Sequence, residues 1–544
     1  MTQPPLTRRT FVTGTSVGLA AAVASTGCSL AASTAPGTAS LDSPATPTGP
    51  FDTMREMIAA LDARGRLLRI DRVDQDAYEG TALMYRLVEK HGLEGAPALL
   101  FDSVKIDGEW REGPVIGNYL GHWDTECLAL GLEPVAGDGP ATFRRARAHL
   151  IAMAQKNGGR YPEIPPVLIP REQALCKEVI LRGDEIDLTR FPIMQVNPGD
   201  GGRYINTASV YTVDPKAGVN LGTYRCQLKG PRKVAVSPGA GQTGWNMLMA
   251  ARKRGEKTAA VTLILGQDPM VYVVSGSRAA NRQGDKPVDE LAVAGGLRGR
   301  PVEIIKCETN DFLVPAHVEM VIEGEIPLDD LEREGPYGEG LGYQGAGEDA
   351  FWMTVTTVTH RRNPWFHNSF TGVDRGPIKS PGVASAWLFA KKFVPEIIDF
   401  HYLGNANNIF FISIDKTKAG QGIAAGEKLG KFNPVAKVVI VVDKDVDLMD
   451  LPQVMAAISS RWQPHPAARI YENLPGLPLD PSQVDRNKTS KIVIDATRQL
   501  PEEGGPATFP RTNRELLTTL APDAFARVDA KWGELIAGAV NTGS

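Results

Sequence analysis

The sequence predicts an α/β (α+β) protein. It has an N-terminal α/β domain, a central β-rich, barrel-like domain, and a C-terminal α/β domain reached through a linker helix. Three observations carry this reading. Short apolar runs alternate with helical periods up to about residue 165. Strand-like segments dominate from about 175 to 362, broken by helical patterns only near 244–254 and 287–297. The alternation of strands and helices returns after about residue 403. At roughly 100–200 residues per domain, 544 residues leave room for all three.

Residues 1–50 are address and tether. Thr7-Arg8-Arg9-Thr10-Phe11-Val12 precedes a mild Gly/Ala/Val stretch through Ala24 and then Ser25-Thr26-Gly27-Cys28. These are the parts of a twin-arginine signal, so export is expected, with Cys28 as a candidate lipid anchor and a cytoplasmic location as the alternative. Residues 29–50 are too rich in Ser, Ala, Thr, Pro and Gly to bury a core. Gly14-Thr15-Ser16-Val17-Gly18 matches G-x-S-x-G, but no strand precedes it, so it is no nucleophile elbow.

The N-terminal domain spans 51–170. Met54, Met57, Ile58 and Leu61 mark one face of a helix that Gly65 stops; Leu99–Val104 reads as a strand, Pro140–Gln155 as a helix, and Tyr161–Pro166 as a linker. The central domain, 171–362, holds strands expected at Lys177–Arg182, Tyr204–Val213, Asn220–Leu228, Val261–Leu265, Val271–Ser275, Val302–Cys307, Val318–Glu323 and Trp352–His360. Residues 363–402 form a hinge and a helix over Val383–Val394. The C-terminal domain, 403–500, takes strands at Ile409–Ile414, Lys437–Val442 and Lys491–Ile494 and a helix at Met449–Trp462. The tail 501–544 carries one helix over 513–538, suited to packing on a partner subunit in a homodimer or larger homo-oligomer.

Composition removes several functions. The 59 basic and 63 acidic residues leave a net charge of −4, so no nucleic-acid partner is expected. Five cysteines without a C-x-x-C pair exclude a disulfide scaffold and a cysteine-built zinc site. No apolar run reaches the roughly 18–20 residues of a spanning helix. The eight histidines include no H-E-x-x-H.

Three stretches carry chemistry. Ser237-Pro238-Gly239-Ala240-Gly241-Gln242-Thr243-Gly244 contains G-x-G-x-x-G after Val234-Ala235-Val236. It reads as a dinucleotide loop, a loop for another phosphate, or a plain turn. Glu334-Gly335-Pro336-Tyr337-Gly338-Glu339 separates two carboxylates by a turn. Folded towards one point, such a pair drives one pKa up and makes a proton donor, the alternative being a solvated acidic loop. Asn220-Leu221-Gly222-Thr223-Tyr224-Arg225 opens a strand whose arginine suits a substrate carboxylate or a structural glutamate equally.

Together these residues resemble the UbiD family of prenylated-flavin-dependent decarboxylases, over about 51–500. Glu334–Tyr343 is similar to the family's E-G-P-[FY]-G-[ED]…G-Y element and Asn220–Arg225 to its N-x-x-x-x-R element. Pro287–Ala292, Lys306–Asp311 with Val314-Pro315-Ala316, and Ser490-Lys491 with Asp495-Ala496-Thr497 resemble further family stretches. The resemblance implies a split-barrel domain that binds prenylated FMN, and a catalytic set in which Arg225 clamps the substrate carboxylate, Glu339 protonates the product and Glu334 orients Arg225. It implies Asn220, Leu221, Gly222, Arg225, Gln242, Ser275 and Glu290 as cofactor contacts. It also implies Mn²⁺ or Mg²⁺, with K⁺, on Asn220 and Glu290. The family's histidine is missing from 237–245, so either Gln242 substitutes for it or the phosphate site is built differently. The expected partners are a small aromatic or unsaturated carboxylic acid, CO₂, and a flavin prenyltransferase that supplies the cofactor. The alternatives are an NAD-dependent oxidoreductase using Gly239–Gly244 and a non-catalytic exported flavin- or aryl-acid-binding protein.

Overall fold

A computed structural model describes residues 47–277, 279–280, 288–404 and 406–537. The signal segment and Cys28 lie outside the described residues.

The first helix, Met54–Asp62, starts where local chemistry dictates. Thr53 Oγ1 accepts from Glu56 N at 3.2 Å, and Glu56 Oε2 accepts from Thr53 N at 3.2 Å. This reciprocal cap satisfies two otherwise orphaned donors. Its buried face is Met54, Met57, Ile58 and Leu61, the spacing read from the sequence. The helix lies beside a four-stranded sheet in which Leu67–Asp74 runs parallel to Ala98–Ile106 and Glu109–Gly117 pairs antiparallel with the latter. The fourth strand is Phe366–His367, so the chain returns from the central region to close this sheet.

The central sheet is antiparallel at every pairing. Its spine is Thr258–Leu265 against Met320–Pro327 against Glu348–His360. Val261, Leu263, Met320, Ile322, Phe351, Met353 and Val355 are buried in one cluster. Two expected strands break. The run from Tyr204 becomes Tyr204–Ile205 and Ser209–Asp214, because Asn206 and Thr207 bond instead to the backbone of Ser369 and His367. The run from Asn220 becomes Gly218–Thr223 and Cys226–Gly230, with the chain turning at Tyr224-Arg225.

One expected strand is a helix. Val271–Ser275 lies in Pro269–Gly276, where Asp268 caps Met270 N at 2.9 Å and Val271 N at 3.2 Å and Pro269 fills the first turn. Capping overrides the β-branched run. Every residue from Pro269 to Ser275 is buried, so no periodicity remained to reveal it.

The C-terminal sheet has five strands ordered Ile397–Leu403, Ala406–Ile414, Val438–Asp443, Lys488–Ala496 and Ala468–Pro475. Val439 and Val441 pack towards the helix Gln421–Gly430, whereas Ile440 and Val442 pack towards Leu451–Arg461, so helices cover both faces. The linker helix, Ser380–Phe393, receives its N-terminal cap from a distance. Glu126, fully buried, accepts from Lys379 N at 2.9 Å and Ser380 N at 3.0 Å and pairs with Arg375.

The single helix expected over 513–538 is three among the described residues: Asn513–Leu520, Ala524–Asp529 and Trp532–Ala537. Pro522 disfavours the helical conformation at Ala521 and ends the first. None of the first two helices' residues is buried.

Candidate active site

The break at Tyr224-Arg225 turns Arg225 out of the strand, and a lone bridge to Ser237 holds its backbone. Its guanidinium then meets three carboxylates. Nε lies 3.0 Å from Glu334 Oε1, Nη2 lies 2.8 Å from Glu334 Oε2, and Nη1 pairs with Glu339. Glu348 Oε1 stands 3.6 Å from Nη2. The Tyr204 hydroxyl donates to Glu334 Oε1 at 2.9 Å, so the Glu334 carboxylate, with no exposed surface, is held from both sides. The Tyr337 ring lies 5.3 Å from the guanidinium carbon and 4.6 Å from the Tyr204 ring.

Glu339 sits at the tip of a small hairpin, Tyr337–Gly338 against Gln344–Gly345. Asp200 steadies it: Oδ1 accepts from Gly338 N at 2.7 Å, and Gly201 N donates to Pro336 O at 2.7 Å. Gly335 is required here, since its φ is +89° and a Cβ would fall 2.7 Å from Gly347 Cα.

Burial pushes the Glu339 carboxyl above its ordinary pKa; Arg225 opposes that rise, while Glu334 and then Glu348 add to it. Burial works against the charge on Arg225, but Glu334, Glu339 and Glu348 outweigh it and hold the guanidinium protonated. The constellation is therefore a fixed cation beside a carboxyl disposed to keep its proton.

Of the other sequence-predicted residues, Asn220, Leu221 and Gly222 lie on the strand just before Arg225, and Ser275 and Glu290 on the helices Pro269–Gly276 and Glu290–Arg298. Asn220 is buried, and its Nδ2 donates to Thr212 Oγ1 at 3.2 Å and to the Tyr224 hydroxyl at 3.5 Å. Gly244 N donates to the same hydroxyl at 3.2 Å. Burial raises the Tyr224 pKa, and Glu290, at the start of the helix Glu290–Arg298, adds to the rise. Ser275 Oγ lies 2.7 Å from Ser209 Oγ and 2.9 Å from Thr223 Oγ1. Leu221 belongs to the hydrophobic core, so it offers a ligand its backbone alone. A Cβ on Gly222 would fall 2.5 Å from the Tyr224 hydroxyl.

Gln242 is exposed, and its Oε1 accepts from Gly239 N at 2.7 Å, closing its own loop. No cluster of three His, Cys, Asp or Glu able to hold a metal occurs among the described residues. The ligands that the resemblance implies, Asn220, Gln242 and Glu290, are two amides and one carboxylate, and the Gln242 amide oxygen is taken up within its own loop. The nicotinamide alternative also loses its context. Lys233–Val236, which leads into the glycine loop, is antiparallel to both its neighbours and opens no βαβ unit.

A cavity of about 1020 Å³ lies between the helices Pro269–Gly276 and Glu290–Arg298, the linker helix and the C-terminal sheet, lined by Ser277, Val288, Pro377, Lys379, Phe389 and Tyr402 among others. Arg225, Glu334 and Glu339 are not in its wall. Gly276, on its edge, faces Thr223, two residues before Arg225: a Cβ added there would lie 3.6 Å from Thr223 Oγ1. Burial, reinforced by Arg375, lowers Lys379 to about 8. Tyr204, Asp200, Glu348 and Lys379 were not singled out from the sequence. Of these, only Asp200 stands in a stretch with a local signal, the turn-forming Asn197-Pro198-Gly199-Asp200-Gly201-Gly202.

The comparisons agree with one another. Residues 58–137, 167–374 and 378–496 match the N-terminal, Rift-related and C-terminal domain models of 3-octaprenyl-4-hydroxybenzoate carboxy-lyase. The chain is 29% identical over 509 residues to phenolic acid decarboxylase of Sedimentibacter hydroxybenzoicus, covering 89% of this chain and 98% of the relative. The vanillic acid decarboxylase of that organism, in closed form, superposes with a TM-score of 0.71 at 27% identity, covering 86% of this chain and 98% of that one. The UbiD-class enzyme HmfF of Pelotomaculum thermopropionicum, solved with FMN, gives a TM-score of 0.70 at 28% identity, covering 85% and 97%. An evolved dimeric form of HmfF, solved with prenylated FMN, gives 0.68 at 27% identity, covering 85% and 97%. With all three domain models matched in order along one chain, this protein belongs to the UbiD family of carboxy-lyases.

Proposed function

We propose that this enzyme catalyses the non-oxidative, reversible decarboxylation of an aromatic, heteroaromatic or α,β-unsaturated carboxylic acid with prenylated FMN. The observation that carries the reading is Arg225 held charged between Glu334 and Glu339, with the Glu339 carboxyl shifted towards its protonated form. Phenolic and vanillic acid decarboxylases among the relatives, and HmfF bound to FMN or prenylated FMN, support the same substrate and cofactor class.

Losing CO₂ from an unsaturated carbon leaves an electron pair that side chains cannot delocalise; prenylated FMN, when bound, supplies that electron sink. Asn220, Ser275 and the backbone of Leu221-Gly222 would hold it, beside the cavity edge at Gly276. Asn220 and Glu290, with Gln242, are the residues that would hold a divalent metal, whose charge would offset that of the cofactor phosphate. The remaining work falls to the chain. Glu334, fixed by Tyr204, sets the plane of Arg225, whose fork orients the substrate carboxylate. Glu339 donates its proton to the carbon that CO₂ leaves and takes one back in the carboxylation direction.

Cofactor supply from a separate flavin prenyltransferase, self-association and twin-arginine export belong to the same proposal, and export of a folded, loaded enzyme suits that route. The decisive assay loads the protein with prenylated FMN and measures CO₂ release across a panel of aryl and acrylic acids. Absence of turnover with every acid refutes the reaction. Glu339→Gln should lower turnover by about 10²–10⁴-fold, the range for loss of a general acid. Export is tested by fractionating cells expressing the chain with Arg8 and Arg9 replaced by lysine, which should retain the enzyme in the cytoplasm.

A further inference from the structure

Glu348 opens the strand Glu348–His360, and the register sets it directly opposite Glu334 on the strand Leu331–Glu334. Two carboxylates facing each other across antiparallel strands repel. Arg225 Nη2 lies near both, at 2.8 Å from Glu334 Oε2 and 3.6 Å from Glu348 Oε1. The other Glu348 oxygen accepts from Arg486 Nη2 at 2.8 Å. Arg486 comes from the C-terminal domain, in the segment between the strands Ala468–Pro475 and Lys488–Ala496. One carboxylate thus touches the catalytic arginine on one side and a cation from another domain on the other.

The Glu348 side chain is 32% exposed and that of Arg486 60%, so water reaches the pair and it contributes little to folding. Its electrostatic place is more telling. Among the described residues, Arg225, Glu334, Tyr337 and Arg486 lie around Glu339 and Glu348, with Asp349 next in the chain, Arg333 opposite it and the Tyr204 hydroxyl on Glu334. Of these, Arg486 alone is contributed by the C-terminal domain.

We infer that Glu348 is a positioning residue that acts through Arg225 to favour the protonated form of Glu339, and that Arg486 moderates this action by neutralising Glu348. The inference rests on Glu339 as the proton donor. Glu348 competes with Glu339 for the guanidinium and adds a like charge nearby, and both effects favour the neutral carboxyl. Any displacement of the Arg486 segment changes that balance, so the acid at the reaction centre senses the docking of the C-terminal domain.

The test titrates the Glu339 carboxyl by infrared difference spectroscopy of the purified, cofactor-loaded enzyme, with the band assigned by its loss in Glu339→Gln. Glu348→Gln should move the titration to lower pH and Arg486→Gln to higher pH. Each shift should be about half a pH unit or more, as expected of one charge acting through partly wet protein. Opposite shifts exclude a shared folding defect as their cause. A titration unmoved in either variant, or moved in the same direction in both, overturns the inference. Because the titration needs no turnover, failure of decarboxylation and failure of this coupling are separate results.

Discussion

Glu334→Gln isolates what the buried carboxylate does for Arg225. The native group has no exposed surface, and its two oxygens accept from the Tyr204 hydroxyl at 2.9 Å and from Arg225 Nε and Nη2 at 3.0 and 2.8 Å. Glutamine preserves the shape but turns one oxygen into a donor, which must then face a hydroxyl or a guanidinium that also donates. Removing one partner of a buried ion pair costs about 3–5 kcal/mol when the survivor is left uncompensated. Arg225 keeps Glu339 and Glu348, so the expected loss is about 2–3 kcal/mol, close to that of a charge-assisted hydrogen bond. Urea denaturation followed by tryptophan fluorescence reads this as a lower midpoint, with Tyr204→Phe as the milder control at about 1.5 kcal/mol. In kinetics the misaligned fork should lower kcat/KM by about 10²-fold, equivalent to about 2.7 kcal/mol. A variant within about 0.5 kcal/mol of the parent, with kcat/KM unchanged, would falsify the claim that Glu334 holds Arg225 in place.

Arg225→Lys keeps the charge but loses the planar fork that three carboxylates share, and kcat/KM should fall at least about 10²-fold in steady-state assays. Lys379 titrates near 8 in the fold against an ordinary 10.5. Between those values the unfolded chain holds a proton that the folded chain has released, so stability should rise with pH across that window. Melting temperatures from pH 7 to 10.5 should show the rise, and Lys379→Met should flatten it. Truncation after Pro510 removes helices that bury no residue among those described, so melting should move by less than about 2 °C while light scattering reports any loss of self-association.

What the sequence made legible divides by the range of the interaction. The helix Met54–Asp62 was readable because its apolar spacing and the Gly65 stop after it are local. The helix Pro269–Gly276 carried an equally local cap at Asp268-Pro269, but full burial erased the periodicity and β-branching suggested a strand instead. Arg225, Glu334 and Glu339 were nameable from motif and resemblance, yet spacing alone left each open between chemistry and structure. Glu348 had no local mark at all. It lies four residues before the expected start of its strand, and its relation to Glu334 exists only through the antiparallel register.

The break in the strand at Tyr224-Arg225 shows how the site depends on such distant terms. β-propensity favours one strand from Asn220 to Leu228, and an unbroken strand would set residues 220, 222 and 224 on one face with Arg225 on the other. Instead the Tyr224 hydroxyl takes hydrogen bonds from Asn220, four residues before it, and from Gly244 N, twenty residues after it. Gly222 leaves the space for that ring to fold back. The turn that follows delivers Arg225 to Glu334 and Glu339 more than a hundred residues away. A larger residue at 222 should therefore damage catalysis by displacing Tyr224 and misdirecting Arg225, although the residue itself touches neither carboxylate.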